Sequence, residues 1–286
     1  MTAVPPVVLT IAGFDPSSGA GITADIKTIA AHECYGVACI TALTVQSTMG
    51  VRRVEPVAPE LIVETLRELV SDVELAAVHI GMLGSVGGAQ AVAQFLREQR
   101  PPHIVLDPIL KSSSGADLVD SKGTSVILDE LLPLSEVVTP NLDEASALTG
   151  VTVTSLDGMH EAAAILHAKG AANVVITGGH LEKAIDLLSF ATARGFEQEV
   201  FKADRQKSNS THGTGCAFAT ALACHLACGR GLPEAVLLTK AYVCAAISNA
   251  HSLGRGTGPL HHLYRMHQQQ RRAVLVAEPE GVRSRN

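Results

Sequence analysis

Residues 7–44, VVLTIAGFDPSSGAGITADIKTIAAHECYGVACITALT, hold one complete unit of the fold. An apolar run at 7–12 leads into a glycine-rich turn, a helical pattern through residue 30, and a second apolar run at 36–44. Apolar runs without polar alternation are the mark of strands covered on both faces. Strand, helix and strand in series build a parallel sheet. The alternation continues with strand candidates at 75–80, 103–107, 136–139, 173–177 and 187–191, and helical patterns at 59–71, 86–99, 142–148 and 156–169. The prediction is an α/β fold, a doubly wound and mostly parallel sheet with helices on both faces; a sandwich or barrel is disfavoured. Two further helices, 215–228 and 233–250, are dense in Ala and small apolar residues and are expected to be buried. From residue 267 the sequence turns polar without a sustained period, so residues 1–266 read as a single domain and 267–286 as a mobile tail.

Composition narrows the function classes. With 22 Lys and Arg against 28 Asp and Glu, the formal charge of −6 excludes a broadly basic nucleic-acid binder. A hydrophobic fraction of 47% with 17% charged residues supplies a sizeable core. The cysteines at 34, 39, 216, 224, 228 and 244 form no CxxC pair and read as reduced, mostly buried thiols. Residues 1–6 lack the basic-then-apolar pattern of a signal peptide, and no stretch approaches the ~18 apolar residues a membrane span needs. These readings place the chain in the cytoplasm, with no membrane partner.

Three motifs could carry chemistry. GFDPSSGAGITAD (13–25) follows a strand and opens a helix, but its spacing fits neither GxGxxG nor a Walker A loop, and a tight turn alone would explain it. THGTGC (211–216) sits just ahead of the Ala-rich helix. There Gly213, Thr214 and Gly215 expose successive N–H groups at a helix start, where donors and dipole together favour an anion such as a transferring phosphoryl group. The same field is expected to favour the Cys216 thiolate and make it the fastest-alkylating cysteine, although a merely buried cysteine would read identically. TPNLDEA (139–145) puts Asn141 and Glu144 three residues apart, where they could hold a hydrated Mg²⁺ or simply cap a helix. Asp107 ends another strand and adds a carboxylate at the same sheet edge, where such folds put ligands. His212, His225, His261 and His262 have no metal-ligand spacing and read as surface or core histidines.

Taken together, TIAGFDPSSGAGITADIKT, ITALTVQST, IGMLGS, VLDP, TPNLDEA, GGHL, THGTGC and GTGPLHH resemble, in collinear order, the hydroxymethylpyrimidine and phosphomethylpyrimidine kinases of thiamine biosynthesis, members of the ribokinase-like superfamily. The resemblance implies an ATP- and Mg²⁺-dependent enzyme, commonly a homodimer, that phosphorylates 4-amino-5-hydroxymethyl-2-methylpyrimidine and then its monophosphate. It makes Gln46 the side chain that reads the pyrimidine edge, with Gly13 and Asp25 lining the same pocket and Met82 and Val45 sandwiching the ring. It assigns the anion hole to residues 212–216 and places Cys216 where most ribokinase-like enzymes carry a catalytic Asp. Asn141 and Glu144 match its Mg²⁺-organising pair, Asp107 a carboxylate near the phosphates, and Lys240 a residue on the nucleotide side. Two positions depart from the pattern: Ser113 and Thr177 stand where many relatives carry lysine, with Lys111, Arg205 and Lys207 as candidate replacements. A pyridoxal kinase, or a catalytically weakened pyrimidine-binding protein, are the alternatives this leaves.

Overall fold

The computed structural model describes residues 4–111, 115, 121–179, 184–204, 206 and 208–266. Ser113, Arg205, Lys207 and the tail from 267 lie outside them. The first unit forms as the sequence dictates: β1 (Val7–Phe14), α1 (Gly21–Ala31) and β2 (Tyr35–Ser47), the strands parallel and in register from Val7 opposite Tyr35. There follow β3 (Gly50–Pro56), α2 (Pro59–Asp72), β4 (Ala77–Ile80), α3 (Val86–Gln99) and β5 (Ile104–Leu106). A short α4 (Ser121–Val126) runs through a π-turn into β6 (Val137–Val138), α5 (Leu142–Thr149), α6 (Leu156–Ala168), β7 (Asn173–Gly178), β8 (Ala184–Thr192) and β9 (Gly195–Ala203). Two long helices, α7 (Thr214–Ala227) and α8 (Leu232–Ser248), close the fold.

The strands form one sheet in the order β3-β2-β1-β4-β5-β6-β7-β8-β9. Its centre, from β2 to β7, is parallel, while β3, β8 and β9 join antiparallel. The two-residue period of a strand divides the apolar runs between two cores. Leu9, Ile11, Ile80 and Leu106 face α2, α3, α5 and α6, whereas Val8, Ala77, Val105 and Val175 face α1, α7 and α8. Full burial of a side chain such as Leu9 or Phe95 contributes roughly 1.5–3 kcal/mol, so packing on both faces holds strands as short as β6. Helix α7 is apolar nearly all round because it is enclosed.

Two strands, β3 and β9, carry no apolar run in the sequence. Both are edge strands with mostly polar, exposed residues, VRRVEP and EQEVFK among them, and edges tolerate charge because only one side is paired. The strand expected at 36–44 runs on to Ser47 because β3 folds back on it. The geometry leaves the carboxyl ends of β1, β4, β5, β6 and β7 opening on one side of the sheet, together with the start of α7.

Candidate active site

A cavity of about 500 Å³ opens at those carboxyl ends. Its rim at one end is built by Asp15, just past β1. One carboxylate oxygen accepts hydrogen bonds from the Ser17 N–H (2.8 Å) and hydroxyl (2.7 Å). The other accepts from the N–H groups of Gly19 (3.2 Å) and Ala20 (2.9 Å). Those bonds shape the glycine-rich turn. The same oxygen lies 2.9 Å from His212 Nε2, and His212 Nε2 lies 3.2 Å from the Gln46 amide nitrogen. Burial alone would raise Asp15, but the hydrogen bonds from His212 and Ser17 pull its carboxyl below the ordinary range. The Thr44 hydroxyl lies 2.9 Å from the Phe14 carbonyl oxygen and 3.2 Å from Gln46 Oε1, so Gln46 sits between Thr44 and His212.

The floor and far wall come from elsewhere in the chain. Gly13 lies so close to Met82 that a Cβ there would stand 3.0 Å from its sulfur. At the start of α7, Gly213 takes a left-handed φ of +78°, and a Cβ would run into the Gly19 carbonyl oxygen, so only glycine joins the two turns. Thr214, Gly215 and Cys216 then form the first helical turn; the Thr214 N–H donates to the Thr211 carbonyl at 3.3 Å, while those of Gly215 and Cys216 have no carbonyl four residues back. A Cβ on Gly215 would stand 3.7 Å from Asp107 Oδ2, which places that oxygen across from the turn. Asp107 Oδ2 is buried and has no hydrogen-bond partner.

Asn141 and Glu144 form a reciprocal capping box on α5: Glu144 N–H donates to Asn141 Oδ1 (3.0 Å), and Asn141 N–H donates to Glu144 Oε2 (2.9 Å). The helix-cap reading is thus realised, and both residues still line the cavity. Burial pushes the Glu144 carboxyl up to about 7, and burial with the charge of Glu144 pushes Asp107 well above the carboxylate range. Lys240 is engaged: its ammonium lies 2.6 Å from Asp186 Oδ2, whose other oxygen accepts the Gly178 N–H at 3.0 Å. Asp186 pairs across the sheet with Thr177. Lys111 lines the cavity as well. Among the described residues, no three His, Cys, Asp or Glu side chains converge as a metal-ligand set.

Three expectations are corrected. Val45 is 51% exposed and outside the cavity, because strand alternation turns Thr44 and Gln46 inward and Val45 away. Asp25 is 0% exposed and lies beneath the site, its carboxylate accepting from Thr10 (2.7 Å) and Thr220 (2.9 Å). The Cys216 thiolate is disfavoured: burial and the charges of Asp107 and Asp25 hold its thiol well above the ordinary value, outweighing the helix start. Asp15 and Asp186 were not singled out as site residues, and His212 was placed only in the anion hole, not beside Gln46 and Asp15. Asp15 stood inside a quoted motif, but Asp186 gave no signal.

A family model described as phosphomethylpyrimidine kinase matches residues 15–261. The chain is 39% identical over 260 residues to the hydroxymethylpyrimidine/phosphomethylpyrimidine kinase of Haemophilus influenzae, covering 89% of this chain and 96% of that one. The chain belongs to the phosphomethylpyrimidine kinase family. It is also 43% identical over 258 residues to the thiamine biosynthesis bifunctional protein ThiED of Geobacter sulfurreducens, covering 90% of this chain but spanning only 52% of that relative. Among solved structures, the ADP complex of Bacillus subtilis pyridoxal kinase superposes with a TM-score of 0.83 at 33% identity, covering 92% of this chain and 99% of that one. The family's ribokinase-like fold is the doubly wound sheet described above.

Proposed function

We propose that this chain transfers the γ-phosphoryl group of ATP to the exocyclic hydroxyl of 4-amino-5-hydroxymethyl-2-methylpyrimidine, and then a second one to the monophosphate, in the cytoplasm and as one unit of residues 1–266. The observation that carries the reading is one cavity lined by the Gln46–His212–Asp15 network, by the Asp107 carboxyl and, joined to that network at Gly19, by the Gly213–Cys216 helix start that faces Asp107. In this reading Gln46 pairs with the amine and ring nitrogen, and Gly13, Met82 and Thr44 bound the ring. The N–H groups at 214–216 stabilise the transferring phosphoryl group, which asks for positioning and charge compensation more than covalent chemistry. Lys240, fixed by Asp186, contributes positive charge on the nucleotide side.

The donor set suits Mg²⁺: Asp107 and Glu144 are carboxyls that burial pushes up, and one buried Asp107 oxygen lacks a hydrogen-bond partner among the described residues. With no three-ligand cluster among the described residues, Asp107, Glu144 and Asn141 would hold the ion through its waters. Bound there, it would neutralise charge on the nucleotide phosphates. Cys216 takes the proton of the attacking hydroxyl; burial first, and then the charges of Asp107, Asp25 and Glu144, hold it as a thiol, so compensating those carboxylates favours this role. A homodimer is proposed on the family resemblance alone, and sedimentation tests it.

Phosphorus NMR of the product formed from ATP and the hydroxymethylpyrimidine tests the reading. One phosphomonoester and then a diphosphate are expected, with one ADP per phosphoryl transferred. Pyrimidine binding without any ADP would instead support the weakened binding protein. A pyridoxal kinase reading is favoured by one observation, the 0.83 TM-score to an enzyme of that name, and pyridoxal belongs in the same assay.

A further inference from the structure

At the opposite end of α7 from the phosphoryl-binding turn, three cysteines meet. Cys224 and Cys228 lie one turn apart on the helix. Cys34, between α1 and β2, brings its sulfur to 3.9 Å from that of Cys228 and hydrogen-bonds with the Cys224 thiol. Access separates them: Cys228 is exposed, while Cys34 and Cys224 are buried. None of them lines the cavity.

We propose that Cys34 and Cys228 form a dithiol modification site that reacts with low-molecular-weight disulfides and ends as an intramolecular Cys34–Cys228 disulfide. A disulfide bond is about 2.05 Å long, so the two sulfurs must close by roughly 2 Å. Both residues stand where the chain can give. Cys228 is the C-cap of α7, past its last helical residue, and Cys34 follows Glu33, which takes a left-handed φ of +60°. The exposed sulfur is the one a bulky disulfide can reach, and the shielded one lies directly behind it.

The exchange balances in two steps. The Cys228 thiolate attacks one sulfur of RSSR; that S–S bond breaks, Cys228–S–S–R forms, and RS⁻ leaves to take up the proton Cys228 released. The Cys34 thiolate then attacks the Cys228 sulfur, forms the protein disulfide and expels the second RSH. Two protein thiols are oxidised and one RSSR is reduced to two RSH. Local chemistry sets the relative speeds. Burial and the charge of Cys34 hold the Cys228 thiol up at about 11, which slows the first step. Hydrogen bonding from the Cys224 thiol, against burial and with help from Cys228, brings Cys34 down to about 7, which speeds the second. The mixed disulfide is therefore consumed as it forms.

The test is peptide mass mapping of the reduced full-length protein after incubation with oxidised glutathione. The expected product is a cross-linked pair of peptides holding Cys34 and Cys228, two hydrogens lighter, free of glutathione and reversed by dithiothreitol. Cys34→Ser should instead stop with one glutathione on Cys228, and Cys228→Ser should leave Cys34 unmodified. Glutathione retained on Cys228 in the unsubstituted protein, a cross-link through any other pair, or a Cys228 that fails to react natively yet reacts in urea would each overturn the proposal.

Discussion

The two ends of the cavity are built on opposite electrostatic terms. Around Gln46, the polar side chains lie against partners: Asp15 takes hydrogen bonds from Ser17, Gly19, Ala20 and His212, and Gln46 sits between Thr44 and His212. Around Asp107, the carboxyls are buried and pushed up, with one oxygen unpaired among the described residues. A satisfied, rigid end suits a neutral heterocycle read by a few hydrogen bonds. In the proposed function, the first selects the molecule that binds and the second drives its reaction.

The sharpest way to break that division is at Gly215. A Cβ there meets nothing nearer than Asp107 Oδ2, so Gly215→Val should fold, as circular dichroism can verify, while its side chain fills the space between the turn and Asp107. Turnover is expected to fall by ~10²–10³, the usual cost of a lost oxyanion-type donor, with pyrimidine affinity within about twofold. A smaller loss, ~10–10² in kcat, is expected for Cys216→Ser, because a dissociative transition state asks little of its base. Calorimetry should find its pyrimidine binding retained. The structure also reverses one expectation for this thiol: iodoacetamide should label Cys216 more slowly than Cys34 or Cys228, because carboxylate charge and burial keep it protonated.

The smallest effect is the most informative about the charged end. With its folded pKa raised by burial to about 7, Glu144 is an acid in the ligand-free protein below that pH. A cation needs the carboxylate, so the half-saturating Mg²⁺ concentration should fall as pH rises from about 6 to 8. Glu144→Gln should raise that concentration several-fold and flatten its pH dependence. Stability moves the other way. The raised pKa means the folded state favours the acid form, so this group's contribution is full below its unfolded value near 4.5 and is lost as pH climbs through about 7. Without Mg²⁺, urea titrations should therefore show Glu144→Gln gaining on the unsubstituted protein as pH rises from about 4.5 to 7 and holding that gain above.

The sequence was most legible where side-chain pattern and backbone demand coincide. The parallel centre of the sheet, the buried α7 and the Gly213–Cys216 start could be read because apolar runs and glycines report burial and close approach directly. The edge strands β3 and β9 could not, since one-sided pairing places little demand on side chains. Within the site, residues at strand ends such as Asp107 and Asn141 were found from their position alone. The inward choice of Thr44 over Val45 turns on strand register, which composition does not reveal, and the Asp15–His212 and Asp186–Lys240 pairs join residues 197 and 54 positions apart. The thiol state of Cys216 was misjudged because a helix start is visible locally, whereas the burial that opposes it, and the charges of Asp107, Asp25 and Glu144, come from the packing of other elements.

The division between the two ends is tested most directly by one ratio, kcat/KM for the hydroxymethylpyrimidine over kcat/KM for pyridoxal, measured at saturating ATP with and without Gln46→Ala. The unsubstituted protein should favour the pyrimidine, and the substitution should collapse the ratio by ~10- to 10²-fold, about 1–3 kcal/mol of unpaired ring groups, with the KM for ATP unchanged. A preference for pyridoxal, or a ratio untouched by Gln46→Ala while the KM for ATP rises, would contradict the account.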